Sequence, residues 1–281
     1  MKTILVSIGQ DNGVDGALVA AVSVARRFKS YIEGLFAQQI PMVIGGDASA
    51  IAPAYFTQIT EDWRVAAREA RVKFGEFMQH QDIPFGKPAS GGEGLVAGWR
   101  EVEASERQQV GEYGRLFDLI VIGRQDAGGK GGVSAIFESA LFDSGRPVLL
   151  APRHAIEALG RCVVIAWNGS TETARTIALG MPFIEAAEEV FVLTVIGGTV
   201  PGPSGQQVAD LLLRHDVKAK VITVEPSGRT TGEAVLEEAS VLGADLVLKG
   251  AYTHSRLRQM VFGGATRHIL SEAELPILTA H

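Results

Sequence analysis

Three short apolar runs occur twice along the chain, in the same order and at similar spacing. The first copies lie at 4–9, 118–123 and 146–151, and the second copies lie at 163–169, 245–250 and 275–280. Apolar runs of this length that end in turn residues are typical of strands buried on both faces. One repeated pair is compatible with chance, but three in order indicate an internal duplication. A chain of 281 residues is also long enough for two domains of ordinary size.

Helical patterns fill the segments between these runs. The spacing of apolar residues predicts helices over 14–28, 231–242 and 264–273, and Ser170 is a typical N-cap for another. Further strands are predicted at 31–37, 99–103, 190–195 and 219–224. Apolar strands that alternate with helices predict an α/β fold, with two tandem doubly wound parallel sheets of five strands each and strand order 3-2-1-4-5. The predicted domains are 1–152 and 160–281, joined by a short linker.

The first half contains extra chain at 40–60, rich in Ala, Gly, Pro and Ile. A lid and a packing arm are both conceivable here. A plain surface excursion is the preferred interpretation, because long connections usually run over the surface.

Charge and composition exclude several classes of protein. The net charge of -6 argues against a general nucleic-acid surface. No apolar stretch approaches the roughly 20 residues of a membrane helix, and Gln10 interrupts the apolar opening before any signal cleavage site. Cys162 is the only cysteine, so no intrachain disulfide can form. These features favour a cytoplasmic protein without a membrane or nucleic-acid partner.

In a doubly wound sheet, ligands bind beyond the carboxyl ends of the strands, where the strand order reverses. In the second half that point lies between the run ending at Asn168-Gly169 and the run ending at Lys249-Gly250. From 246 to 271 there is no Asp or Glu, whereas four cations are present: Lys249, Arg256, Arg258 and Arg267. Glycines followed by a helix start favour a phosphate. A solvated loop with an ordinary helix entry remains the alternative.

At these residues the sequence resembles the universal stress protein family in its tandem two-domain form. The family's loop is Gly, two residues, Gly, nine residues, then Gly followed by Ser or Thr. Gly250 and Gly263 match this loop with the spacing kept, and Asn168-Gly169-Ser170 and the closing run 275–278 also fit. The resemblance covers the whole second half and, more loosely, the first half.

The resemblance implies an adenine-nucleotide alpha-hydrolase-like fold and binding of ATP, with or without Mg²⁺, in the second domain. The matched positions would bind the nucleotide as follows: Asn168 near the adenine or ribose, Val195 through its backbone to the base, and Gly250, Thr253, Gly263, Gly264 and Ala265 around the ribose and phosphates. His254 and Arg256 are further candidate phosphate contacts. The resemblance also implies that the halves face each other through their last strands, as in a dimer.

Three residues depart from the family pattern. Thr253 replaces the second glycine, and Gly264 replaces the Ser or Thr that would donate a hydroxyl to phosphate. Asn168 stands where the family has Asp, so it loses the charge but keeps an acceptor. The sequence therefore predicts altered or weakened binding as well as binding itself.

The first half departs further. Gly9 occupies the acidic position, and 124–132 lacks the glycine spacing. Gly129-Lys130 is reminiscent of a phosphate-binding loop, but Arg124 stands where that loop needs Gly and Gly131 where it needs Ser or Thr. We interpret this loop as degenerate.

No catalytic constellation is evident. The histidines form no metal-spacing pair, and no Gly-x-Ser-x-Gly motif is present. The first functional hypothesis is a cytoplasmic stress-response protein that binds ATP. The alternative is a scaffold or signalling module that binds no nucleotide and acts through self-association or protein partners. An enzyme is the least favoured class, and at most a slow ATPase.

Overall fold

Helices cover both faces of one large sheet. The computed structural model describes residues 1–9, 14–37, 53–86, 94–102, 106–124, 135–154, 156, 158–251 and 264–281. The strands are β1 Thr3–Ile8, β2 Tyr31–Ala37, β3 Ala97–Val102, β4 Leu119–Gly123, β5 Val148–Ala151, β6 Cys162–Ala166, β7 Glu189–Val195, β8 Ala219–Val224, β9 Leu246–Leu248 and β10 Ile277–Thr279. The helices are α1 Val14–Phe28, α2 Pro53–His80, α3 Glu106–Tyr113, α4 Ala135–Asp143, α5 Thr171–Glu185, α6 Gly205–Leu213, α7 Thr231–Val241 and α8 Gly264–Glu272. The predicted α/β class is confirmed.

The strands form one ten-stranded sheet in the order β3-β2-β1-β4-β5-β10-β9-β6-β7-β8. Within each half the order is the predicted 3-2-1-4-5, and the neighbouring strands are parallel. The sheet differs from the prediction in one detail, because the two five-stranded sheets are continuous. β5 and β10 pair antiparallel, with Leu149 opposite Leu278. The halves therefore meet through their last strands, as expected.

The antiparallel junction sets the direction of the two halves. All strands of one half point one way and all strands of the other half point the opposite way. The carboxyl ends of β1 and β4 consequently lie at the edge of the sheet opposite to the carboxyl ends of β6 and β9.

Each half contributes to both layers of the core. On one face, α1, α2, α5 and α6 pack over alternate strand residues such as Ile4 and Val163. On the other face, α3, α4, α7 and α8 pack over the intervening residues such as Leu5 and Val164. Because both faces are buried, the strands read as continuous apolar runs rather than as an alternating pattern.

The extra chain at 40–60 is helical where it is described. Residues 53–60 form the start of α2, the long helix that crosses between β2 and β3. The earlier part, 38–52, lies outside the described residues. In the part of the chain that the structure describes, no helix combines the length and apolar character needed to cross a membrane.

Candidate functional site

The strand order of the second half reverses between β6 and β9, which are adjacent and parallel. Their carboxyl ends carry Asn168 and Lys249 respectively, and α5 begins directly after the first of them. The predicted switch point is therefore formed, and it brings chain segments together that are about 80 residues apart in sequence.

Asn168 is fixed by the start of α5. Its Oδ1 accepts hydrogen bonds from the Thr173 hydroxyl at 2.7 Å and from the Ser170 backbone N–H at 3.3 Å. Ser170 caps the helix, since its own hydroxyl accepts from the Thr173 N–H at 3.2 Å. A backbone N–H can only donate, so it is the amide oxygen of Asn168 that faces the helix. Among the described residues no hydrogen bond involves the Nδ2 donors, whereas an aspartate would offer a second acceptor here.

Gly250 packs against the same first turn of α5. A Cβ atom at this position would lie 2.3 Å from the Thr173 backbone nitrogen and 2.6 Å from the Glu172 carbonyl carbon. Real Cβ atoms do not approach backbone this closely, so glycine is required for the fit of β9 to α5. Thr173 thus connects two predicted site residues, Asn168 and Gly250.

The connection between β7 and α6 covers the end of β6. The Val200 N–H donates to the Asn168 carbonyl at 2.8 Å. Gly169 has φ of +84°, and a Cβ there would lie 2.6 Å from the Val200 carbonyl oxygen. Gly202 packs equally closely on Gly169. The backbone of the β7–α6 connection therefore packs directly on the side of the site that is predicted to bind the base.

Val195 lies at the end of β7, beside β6, with its side chain buried. Its carbonyl already accepts the Gly198 N–H at 3.1 Å. A carbonyl oxygen has two lone pairs, so one acceptor position remains for a base.

Gly264 and Ala265 form the start of α8. Gly264 is exposed, and a Cβ there would meet nothing within 4 Å. Ala265 packs towards α7, where its carbonyl oxygen would lie 3.0 Å from a Cβ on Gly232. Among the described residues, no hydrogen bond joins either residue to the Asn168 cluster. The other predicted contacts, Thr253, His254, Arg256 and Gly263, lie outside the described residues, as does Gly129-Lys130 of the first half.

Lys249, one of the four cations of the acid-free stretch 246–271, is buried. Its side chain is 6% exposed, and its Nζ has a long contact of 3.4 Å with the Gly250 carbonyl. Burial lowers the pKa of Lys249 to about 8, and the nearby Glu172 carboxylate partly opposes this shift. Glu172 itself has a buried Oε2 without a hydrogen-bond partner among the described residues. The Lys249 side chain and a Glu172 carboxylate oxygen are therefore both buried beside the carboxyl end of β9. Arg267 of the same predicted patch is exposed on α8.

The low pKa of Lys249 predicts a pH-dependent stability. The folded-state pKa is about 8 and the ordinary value is 10.5. Between these values the unfolded chain binds the proton and the folded chain does not, so stability rises with pH. Relative to that of Lys249→Met, the free energy of unfolding of the native protein should rise by up to about 1.4 kcal/mol per pH unit over this window.

Urea unfolding of both proteins from pH 7.5 to 9.5 measures this difference. The same substitution at Lys218, which is exposed, is the control for replacing a lysine with methionine. A constant difference at Lys249 would contradict the burial of a charged ammonium.

Comparisons with known proteins agree with this fold. No protein-family model matches the sequence. The universal stress protein Slr1230 of Synechocystis sp. is 26% identical over 169 residues, which are 58% of this chain and 58% of that protein. The crystal structure of a universal stress protein from Archaeoglobus fulgidus superposes with a TM-score of 0.69, at 13% identity over 99% of this chain and 97% of that chain. The chain is therefore similar in sequence to one universal stress protein and shares the fold of another.

A second solved structure supports the same fold. The functionally unknown protein PA1789 from Pseudomonas aeruginosa matches with a TM-score of 0.55, at 14% identity over 100% of this chain and 92% of that chain. The two structures, both below 15% identity, show the shared fold, and the sequence match spans little more than half of the curated universal stress protein.

The structure gives three residues of the site positions that sequence reasoning did not predict. Thr173 and Glu172 lie inside α5, where their types are ordinary, and only the packing of α5 on Gly250 shows their position. Lys249 was predicted only as one of four cations in an acid-free stretch, and its burial was not foreseen. A signal was nevertheless present, since Lys249 directly follows the buried strand 246–248 and precedes the first loop glycine.

Proposed function

We propose that the protein is a cytoplasmic stress-response protein that binds an adenine nucleotide, ATP first of all, at the carboxyl ends of β6 and β9. The observation that carries the proposal is the cluster in which Thr173 joins Asn168 to the close-packed Gly250 at the switch point of the second half. Parallel sheets of this kind bind ligands at that point. The family relationship supports a nucleotide as the ligand.

Hydrogen-bonding groups at the site are suited to such a ligand. The Nδ2 group of Asn168 and the remaining lone pair of the Val195 carbonyl offer a donor and an acceptor to a base. The backbone N–H groups of the first turn of α8 have no partners within the helix, and such groups favour a phosphate. The described residues offer no group of three or more His, Cys, Asp or Glu that would hold a metal ion. Any Mg²⁺ is therefore expected to enter with the nucleotide.

Titration calorimetry with ATP, with and without Mg²⁺, tests the proposal on the native protein. We expect one site per chain. Gly263→Val, which adds a branched side chain to the matched loop glycine, should abolish binding. Absence of binding at millimolar ATP would exclude this function.

The position of Gly264 gives a gain-of-function test. The space around it is open, so Gly264→Ser can restore the missing hydroxyl without a clash. One added hydrogen bond to a phosphate should tighten ATP binding by about 3- to 10-fold. Gly264→Ala, which adds the same Cβ without the hydroxyl, is the matched control and should bind like the native protein. Equal affinity for the serine and alanine variants would place the phosphates elsewhere.

The replacements at Thr253 and Gly264 favour a second candidate, a scaffold that binds no nucleotide and acts through protein partners. On this account the native protein binds no ATP, and Thr253→Gly together with Gly264→Ser creates binding. If the double variant also fails to bind ATP, these two replacements are not the reason why the native protein lacks nucleotide binding.

A further inference from the structure

Helix α8 connects the carboxyl edges of the two halves. It begins at Gly264, after β9, and returns antiparallel to the strands before β10. Because the halves point in opposite directions, its last residues lie beside the carboxyl end of β4 of the first half. The nine-residue helix thus starts at the candidate site and ends at the other half.

The last turn of a helix has carbonyl groups without partners inside the helix. In α8 one of these is satisfied locally, because the Ile269 carbonyl accepts the Ala273 N–H at 3.1 Å. The Ser271 carbonyl accepts Nη1 of Arg124 at 3.2 Å. Arg124 directly follows β4, so this bond comes from the first half.

Arg124 is unusual for an arginine. It is only 9% exposed, and its Nε and Nη2 have no hydrogen-bond partner among the described residues. Burial, with a contribution from the charge of Arg153, lowers the pKa of Arg124 to about 10, while Glu272 at the end of α8 acts in the opposite sense. A buried guanidinium is costly unless a negative charge is near. The carboxyl end of α8 supplies one, because helix dipoles place partial negative charge there.

We propose that Arg124 is a positioning residue of the second-half site: from the first half it fixes the carboxyl end of α8, and with it the first turn of the helix at Gly264 and Ala265. The inference rests on the proposed function for its effect on nucleotide binding. A helix transmits displacement along its axis, and Ser271 lies about 10 Å from Gly264 at 1.5 Å per residue. The first half, whose own loop has lost the glycine spacing, then serves to shape the site of the other half.

Amide hydrogen exchange and ATP titration of Arg124→Met test this inference. Methionine keeps the length of the side chain and removes the charge and the donors. The amides of 268–271 bond carbonyls of the first turn, so their exchange reports on that turn in the absence of ligand. We expect their exchange to accelerate about tenfold and the Kd for ATP to rise about 3- to 10-fold. The amides of α5 should not change.

Arg115→Met is the matched control. Arg115 donates from Nε to the Asp143 carbonyl at the end of α4, at 2.9 Å, and so makes the same kind of bond within the first half only. It should leave both measurements as in the native protein. Arg124→Lys, which keeps the charge and one donor group, should give intermediate values and replaces the methionine variant if that chain does not fold.

The outcomes are distinct. Native exchange at 268–271 in the Arg124 variants, or accelerated exchange with unchanged ATP affinity, would overturn the inference. If the native protein binds no ATP, the proposed function is lost, and the exchange measurement alone decides whether Arg124 holds the first turn of α8.

Discussion

Phe183→Ala is expected to lower the free energy of unfolding of the whole chain by about 3 to 5 kcal/mol, the usual cost of removing a fully buried phenylalanine side chain. Phe183 on α5 is 0% exposed. Its ring meets Phe28 of α1 edge-to-face at 5.2 Å between centroids, so the pair crosses from one half to the other. The apolar layer around it also contains strand residues of both halves, such as Leu149 and Val163.

A shared core predicts a single cooperative transition. Trp63 and Trp99 report on the first half and Trp167 on the second, so urea unfolding of single-tryptophan variants can follow each half separately. The transitions should coincide in the native protein, and Phe183→Ala should move them together. Separate transitions, with only that of Trp167 shifted, would instead support 1–152 and 160–281 as independent domains.

Phe142→Ala is a matched control for this substitution. Phe142 also meets an aromatic ring of the other half, His281, at 4.7 Å between centroids, but it is 45% exposed. Its removal should cost about 1 kcal/mol, as expected for an aromatic pair that remains in contact with water. A double-mutant cycle between Phe28 and Phe183 should give a coupling of about 0.5 to 1.5 kcal/mol.

Gly250→Ala is expected to cost about 2 to 3 kcal/mol of stability and to abolish nucleotide binding, because overpacking moves backbone when the neighbour is backbone. The added methyl group would lie 2.3 Å from the Thr173 nitrogen, so the start of α5 must shift. Thr173 also holds Asn168, at 2.7 Å, so the shift reaches both strand ends of the site.

The midpoint of urea unfolding and ATP calorimetry measure these two effects. Gly264→Ala, at an open position on α8, is the control for adding a methyl group and should change neither. A Gly250→Ala protein with native stability would show that β9 can move away from α5 at little cost.

Much of the fold could be predicted from the sequence because local signals agree with the packing. Helix α1 spans 14–28 and strand β2 spans 31–37, as predicted from apolar spacing. At α5 the predicted N-cap is present, because the Ser170 hydroxyl accepts the Thr173 N–H. Such signals are short-range and need no knowledge of the rest of the chain.

Long-range features were harder to predict. The meeting of β5 with β10 was expected only from the family resemblance, because any buried strand could have the composition of either one. The burial of Lys249 and the role of Thr173 likewise depend on how α5 meets β9. The conformation of the extra chain was not predicted: residues 53–60 begin α2 and continue into a sequence rich in good helix formers.

The pairing of β5 with β10 also limits how copies of this protein can associate. Two separate five-stranded sheets could join through the edge strands β5 and β10. In this chain those two strands already pair with each other, so neither is available to a second copy. The outermost strands are β3, whose first residue Ala97 pairs with 84–86, and β8. Each has charged side chains in water: Arg100 and Glu101 on β3, and Lys220 on β8. Charges at an open edge oppose strand addition. The chain therefore carries its dimer-like interface within one polypeptide, and higher assembly is expected to use helix surfaces rather than a wider sheet.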